Sequence, residues 1–125
     1  MQFAQSLHKA AEIGDTDAQT ALGWMYFKGE GVRQDYAQAL KLLRKTADQG
    51  NARGQAALGV MYLKGQGVTR DFAQARMWFN LSAFRAEDAK TRELASKFRD
   101  LFVAKMTPAQ VAEARQMASA WAPKK

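Results

Sequence analysis

The chain repeats itself, without a gap, at an offset of 36 residues. ALGWMYFKGEGVRQDYAQA, starting at Ala21, lies on ALGVMYLKGQGVTRDFAQA, starting at Ala57. Ala21, Leu22, Gly23, Met25, Tyr26, Lys28, Gly29, Gly31, Val32, Asp35, Ala37, Gln38 and Ala39 all recur. A period of this size marks a stacked array of supersecondary units, each too small to bury its own apolar face. A third unit keeps the length although its sequence has diverged. Asp35-Tyr-Ala-Gln38 becomes Asp71-Phe-Ala-Gln74 and then Thr107-Pro-Ala-Gln110. In each, a capping residue is followed three positions later by Gln, and Pro108 stands at the favoured first helical position. Leu22, Leu58 and Leu94 are in register, as are Tyr26, Tyr62 and Phe98, spaced by four so that each pair shares a helix face. Backwards, Met1 to Ala11 lies on Ala37 to Ala47, so Leu7 takes the place of Leu43 and residue 1 falls in the middle of a repeat.

These registers predict seven helices, at about residues 2–13, 16–28, 36–49, 52–64, 72–84, 87–104 and 108–121. The composition agrees. There are 24 Ala, which suit close helix packing, and only two Pro, at 108 and 123, so Gly supplies the punctuation. The loop Lys-Gly-x-Gly-Val carries Gly29 and Gly31, then Gly65 and Gly67. A phosphate loop would follow a strand. Here a helix precedes and the motif repeats, so the first Gly is expected to close the helix left-handed and the second to turn the chain. Leu101 and Val103 replace these glycines in the third unit, which predicts a longer helix there. The expected fold is all-α, a right-handed α/α superhelix of helix pairs. It forms a single repeat domain over 1–125: a half repeat (1–13), repeat one (14–49), repeat two (50–85), a diverged C-terminal capping repeat (86–122) and a tail (123–125).

Ala-x-x-x-Leu-Gly-x-x-Tyr (Ala18 to Tyr26), x-Gly-x-Gly-Val and Asp-Tyr/Phe-x-x-Ala resemble the Sel-one-like repeat family, relatives of the tetratricopeptide repeats, over nearly the whole chain. Arg76-Met-Trp-Phe-Asn-Leu-Ser-Ala83 and Met106 through Trp121 are similar to the last repeat and cap of bacterial members. Gly54 departs from the family's Ala and is expected to loosen its helix by about 1 kcal/mol at most. The resemblance implies a scaffold that holds other proteins together. It also implies that the first helix of each pair lines a concave face. With Leu22 as the packing reference, that face reads Asp17, Thr20, Trp24 and Phe27 in unit one and Arg53, Ala56, Val60 and Leu63 in unit two. Unit three adds Ala89, Arg92, Ser96 and Arg99. The expected groove is apolar around Trp24, Phe27, Val60 and Leu63 and basic around Arg53, Arg92 and Arg99. It suits a protein or peptide with an apolar anchor and nearby carboxylates.

The net charge of +7 is unevenly placed: residues 1–62 carry seven Lys/Arg and six Asp/Glu, whereas 63–125 carry twelve and six. Lys90, Arg92, Lys97, Arg99, Lys105, Lys124 and Lys125 supply most of the excess. Glu87, Asp88, Glu93 and Asp100 are interleaved with them, the pattern of a solvated helix face. No aromatic-interleaved basic stripe is present, so nucleic acid is not an expected partner. With no Cys, disulfides and thiol nucleophiles are excluded, and the single histidine, His8, expected to face solvent or to lie near the N-terminal end of the array, has no second His or Cys with which to make a metal site. Ser6-Leu-His-Lys9 matches Ser-x-x-Lys, but the Ser-Asp-Asn and Lys-Thr-Gly partners are missing. Asp15 with Asp17, and Glu87 with Asp88, sit beside helix starts, where they complement the helix dipole. No catalytic residue, metal or cofactor is therefore expected. No apolar run reaches the length of a membrane span. As it stands the chain reads as a cytoplasmic monomer, or as periplasmic or secreted if a signal peptide preceded residue 1. The function expected is a non-catalytic adaptor; the alternative is an immunity- or inhibitor-type protein that blocks a toxic enzyme.

Overall fold

The computed structural model describes residues 2–123. Met1, Lys124 and Lys125 lie outside them, and so does the part of the basic C-terminal end assigned to those lysines. The helices are α1 (Gln2–Glu12), α2 (Thr16–Lys28), α3 (Tyr36–Asp48), α4 (Ala52–Lys64), α5 (Phe72–Arg85), α6 (Ala89–Leu101) and α7 (Pro108–Ala120), with a 3-10 turn at Val103–Lys105. There is no strand among the described residues. Consecutive helices pack on one another from α1 through α6, and the chain is an all-α repeat solenoid.

The helices start where the sequence supplies a side-chain acceptor for their unpaired N–H groups. Asp15, Asn51 and Asp88 accept from Ala18, Gly54 and Thr91 at the starts of α2, α4 and α6. Asp35, Asp71 and Thr107 accept from Gln38, Gln74 and Gln110 at the starts of α3, α5 and α7. At α7 the box is closed, because the Thr107 N–H donates back to Gln110 Oε1 at 2.9 Å. As expected, α2 and α4 end at glycines: Gly29 and Gly65 stand at φ 72° and 68° and return their N–H groups to the carbonyls of Met25 and Met61. In place of these glycines α6 has Phe102. The helix does not run on to residue 104. It stops at Leu101, because Phe102 turns inward against Val60, Ala75 and Phe79.

Three buried clusters form one continuous core along the array. Leu43, Ala39, Ala57 and Met61 join α3 to α4; Leu58, Met77, Trp78 and Leu81 join α4 to α5; Val60, Ala75, Phe79 and Phe102 close the far end. Polar ties cross the same seams. Buried Gln19 and Gln55 donate to the carbonyls of Ala11 and Ala47 in the last turn of the preceding helix, at 3.0 and 3.2 Å. Hydrogen bonds also repeat between Tyr26 and His8, and between Tyr62 and Arg44, so His8 is half-buried and engaged rather than facing solvent.

The third unit departs from the first two in two ways. First, α5 has 14 residues where α3 has 13, so α6 starts 37 residues after α4. The helix turns by about 100° per residue. Ala95, at 0% exposure, consequently takes the buried place expected of Leu94, which is 47% exposed. Second, α7 lies against α5, where Met117, Ala118 and Trp121 pack on Trp78 and Leu81, and makes no comparable contact with α6.

Gly54 is a close-approach position rather than a defect. A β-carbon there would fall inside Thr46 Oγ1 and stand 3.1 Å from the Ala47 nitrogen. Gly54→Ala is therefore expected to destabilise the chain by about 1–3 kcal/mol, despite alanine's better helix propensity. Thr46→Ala in the same chain should restore part of the loss. Urea unfolding midpoints read both effects. A pH dependence follows from the α6 cap. Hydrogen bonding by Thr91, through its side chain and then its backbone, holds the Asp88 carboxyl below the ordinary range. The cap's contribution is thus complete above about pH 3.9 and is lost as pH falls through the lower folded value. Asp88→Asn keeps the cap oxygen and removes the titration. Its thermal midpoint should fall less steeply than wild type below about pH 4.

Candidate interaction surface

The first helices of successive pairs touch, α2 with α4 and α4 with α6, whereas the second helices α3 and α5 make no comparable contact. That arrangement sets the first helices on the inner curve of the array. On this side Asp17, Thr20 and Trp24 of α2 meet Arg53 of α4 around a cavity of about 310 Å³, together with Lys28 and Glu30. The wall is built from both repeats. Asn51, the cap of α4, donates to Asp17 Oδ1 at 3.1 Å and so holds the start of α4 to α2. Thr20 is buried, and its hydroxyl donates to the Thr16 carbonyl at 3.0 Å, so it shapes the cavity floor and does not reach outward.

Trp24 is half-buried. Its ring meets Phe27 edge-on with centroids 5.5 Å apart, and Lys28 Nζ lies 5.3 Å from the ring centroid. One aromatic face is thus fixed by packing while a cation stays beside it. Lys28 and Arg53 are balanced by Asp17 and Glu30, so the cavity is of mixed sign.

The remaining expected groove residues are placed differently. Phe27 and Leu63 are half-buried and pack on the core clusters. Val60 is 8% exposed beneath Phe79 and Phe102, so the apolar end foreseen for the groove is closed by the aromatic side chains that follow it in sequence. Ser96 is half-buried. Arg92 donates to the carbonyls of Ala86 and Glu87 at 3.0 and 2.9 Å, tying down the turn after α5. Arg99 belongs to another cavity altogether. Arg53, Arg92 and Arg99 are not gathered into one basic end, because the slip of α6 rotates the last two away from Arg53.

That second cavity, of about 720 Å³, opens between α5 and α7 at the end of α6. Arg76, Arg85, Arg99 and Arg115 line it, with Phe84 and Trp121. Arg99 grips Asp100 through Nε and Nη2 at 3.0 and 3.2 Å, which is the main cause holding the Asp100 carboxyl below its ordinary range. The sequence did carry a signal for this place. Asn80 stands 36 residues beyond Arg44, and neither Phe98 nor Arg99, which takes the place of Tyr62 in the slipped α6, carries the tyrosine hydroxyl that engages the second-helix side chain in the earlier units. Among the described residues no three His, Asp or Glu converge on a possible metal position, and no helix is long and apolar enough to cross a membrane.

The family model of the Sel1 repeat matches residues 16–51 and 52–83. A protective antigen present in uropathogenic Escherichia coli strains, displaying an SLR fold, superposes with a TM-score of 0.81 at 33% identity over 92% of this chain. The chain spans about a quarter of that protein, 24% of its length. A Sel1 repeat protein from Oxalobacter formigenes superposes with a TM-score of 0.59 at 24% identity, covering 97% of this chain and 100% of its own, and shares the fold. No curated protein matches the chain.

The slip of α6 has a direct test. Leu94→Gln is expected to change stability by no more than about 0.5 kcal/mol. Ala95→Leu should cost about 1–3 kcal/mol by overpacking. If chemical unfolding gave the opposite order, α6 would hold the 36-residue register after all.

Proposed function

The chain belongs to the Sel1 repeat family, and from that premise we propose that it is an adaptor that holds a segment of a partner protein against the inner face of α2 and α4. Members of the family are generally protein–protein interaction modules and typically non-catalytic scaffolds. The observation that carries the reading is the convergence of Asp17, Thr20, Trp24 and Arg53, from two successive repeats, on one cavity. Trp24 is its anchor. The equivalent position in the next repeat is Val60, so the packing of the array does not require an aromatic there, and a half-exposed tryptophan beside arginine is the kind of pair that concentrates binding energy. The cavity accepts an apolar side chain against the indole. Arg53 and Lys28 then meet carboxylates that flank it, and Asp17 and Glu30 orient the segment by repulsion.

Trp24→Ala combined with Arg53→Glu should weaken capture of the native partner at least about tenfold, roughly 1.4 kcal/mol. The far-ultraviolet circular dichroism should stay that of the parent. Partners are identified by photocrosslinking from position 28 in cells and then titrated with purified chain. A double variant that binds the crosslinked partner as tightly as the parent refutes this groove.

A further inference from the structure

Phe84 is 87% exposed and stands at the edge of the cleft between α5 and α7, among its lining residues. Its neighbours on the same face of α5 are Arg76 and Asn80, at i−8 and i−4. The equivalent stripe of α3 is Leu40, Arg44 and Asp48. There the leucine packs in the core and the arginine bonds Tyr62. In α5 the same face is freed, because in the slipped α6 Arg99 takes the place of Tyr62 and offers Asn80 no hydroxyl, and α7 approaches from the side. The cleft is a property of this unit and not of the repeat.

Its charge is unbalanced. Asp100, the one carboxylate in the lining, grips Arg99 and also attracts Arg76 from a distance, against four arginines in all. Arg76 donates to the Arg99 carbonyl at 2.7 Å, and Arg85 donates to the Gly50 carbonyl at 3.0 Å while its guanidinium lies over Trp121, 5.2 Å from the ring centroid. These neutral acceptors fix the two side chains and compensate neither charge, and Asp100 offsets no more than one of the four positive charges in the lining. Arg115 makes no hydrogen bond or ion pair among the described residues. Three guanidinium groups therefore share the cleft lining with an exposed aromatic, two of them already held in place, so little of their side-chain entropy remains to be lost on binding.

We propose that this cleft is a second docking site, independent of the Trp24 cavity, for an acidic amphipathic segment of a partner protein. Its carboxylates are held by Arg76, Arg85 and Arg115, and its apolar side chains rest on Phe84. Charge selects this occupant. A second copy of the chain carries +7 and would bring like charge to the cleft. Nucleic acid would track an extended basic strip, whereas here the cations enclose a short concavity with Leu81, Val111 and Ala118 in its lining.

The test is selection of displayed random 16-residue peptides on the intact chain. Enriched peptides should be rich in Glu or Asp with at least one Phe, Leu or Trp. They should bind Phe84→Ser/Arg115→Glu at least tenfold more weakly, bind Trp24→Ala/Arg53→Glu as the parent does, and weaken as salt is raised. Arg115→Glu alone, at an exposed site, repeats the measurement should the double variant fold poorly. Failure to enrich such peptides overturns the proposal, as does enrichment of neutral or basic ones or unchanged binding to the cleft variants. Peptides that lose affinity only for the Trp24 variant place the acidic site on the inner face and overturn it equally. Displacement of bound peptide by a thymidine oligonucleotide at equal concentration marks the cleft as a nucleic-acid surface instead.

Discussion

A β-carbon added at Gly59 would stand 2.8 Å from the Phe79 ring, and one at Gly23 the same distance from Leu43. Within each helix pair, then, the backbone of the first helix lies directly against a side chain of the second, and the other interfaces are built around that approach. Helices this close cannot carry bulk where they touch. Ala39, Ala47, Ala57, Ala73 and Ala75 are buried at or near zero exposure for this reason. Such residues lose little conformational freedom on burial but also remove little apolar area from water, so stability depends on many small contacts held in register. Phe79, Trp78 and Leu43 fill the spaces left between the seams.

The angle between one pair and the next is fixed by polar groups. Gln19 and Gln55 reach back to carbonyls in the last turn of the preceding helix, where backbone acceptors lack an intrahelical donor. In the third unit the residue at the same 36-residue offset is Thr91, too short for that reach. The residue one further on is Arg92, which donates to the carbonyls of Ala86 and Glu87. The slip of α6 thus replaces one tie with another. An arginine that the sequence pattern assigns to a binding face is employed in holding the array together.

Most of the fold was legible because the repeat is gapless where it is clear. The caps at Asp35, Asp71 and Thr107, the left-handed glycines and the bounds of α2 and α4 all follow from one offset and local backbone chemistry. What the offset concealed is a compensated change: α5 gains a residue and the connection from α6 to α7 loses one, so α7 returns to register while α6 alone is rotated. Leu94 and Ala95 exchange roles, and Arg99 leaves the inner face, without any change in the total spacing. Gly54 was misread for a different reason. A propensity scale measures the helix by itself, whereas this glycine answers to Thr46 on the neighbouring helix. The cleft between α5 and α7 shows in the repeat only as the loss of the arginine and tyrosine pair at Asn80, because its form depends on which helix α7 packs against, a tertiary choice without a period of its own.

The sparse contact between successive first helices gives the array a mechanical character. Dense packing runs along the path from each helix to the next, while α2 and α4 meet only lightly across the inner face. Small rotations at the dense seams therefore add along the chain, as in a coiled spring, and change the curvature while disturbing few contacts. The inner face is then the softest dimension of the molecule. Its width is set as much by tension or by an occupant as by the array's own packing.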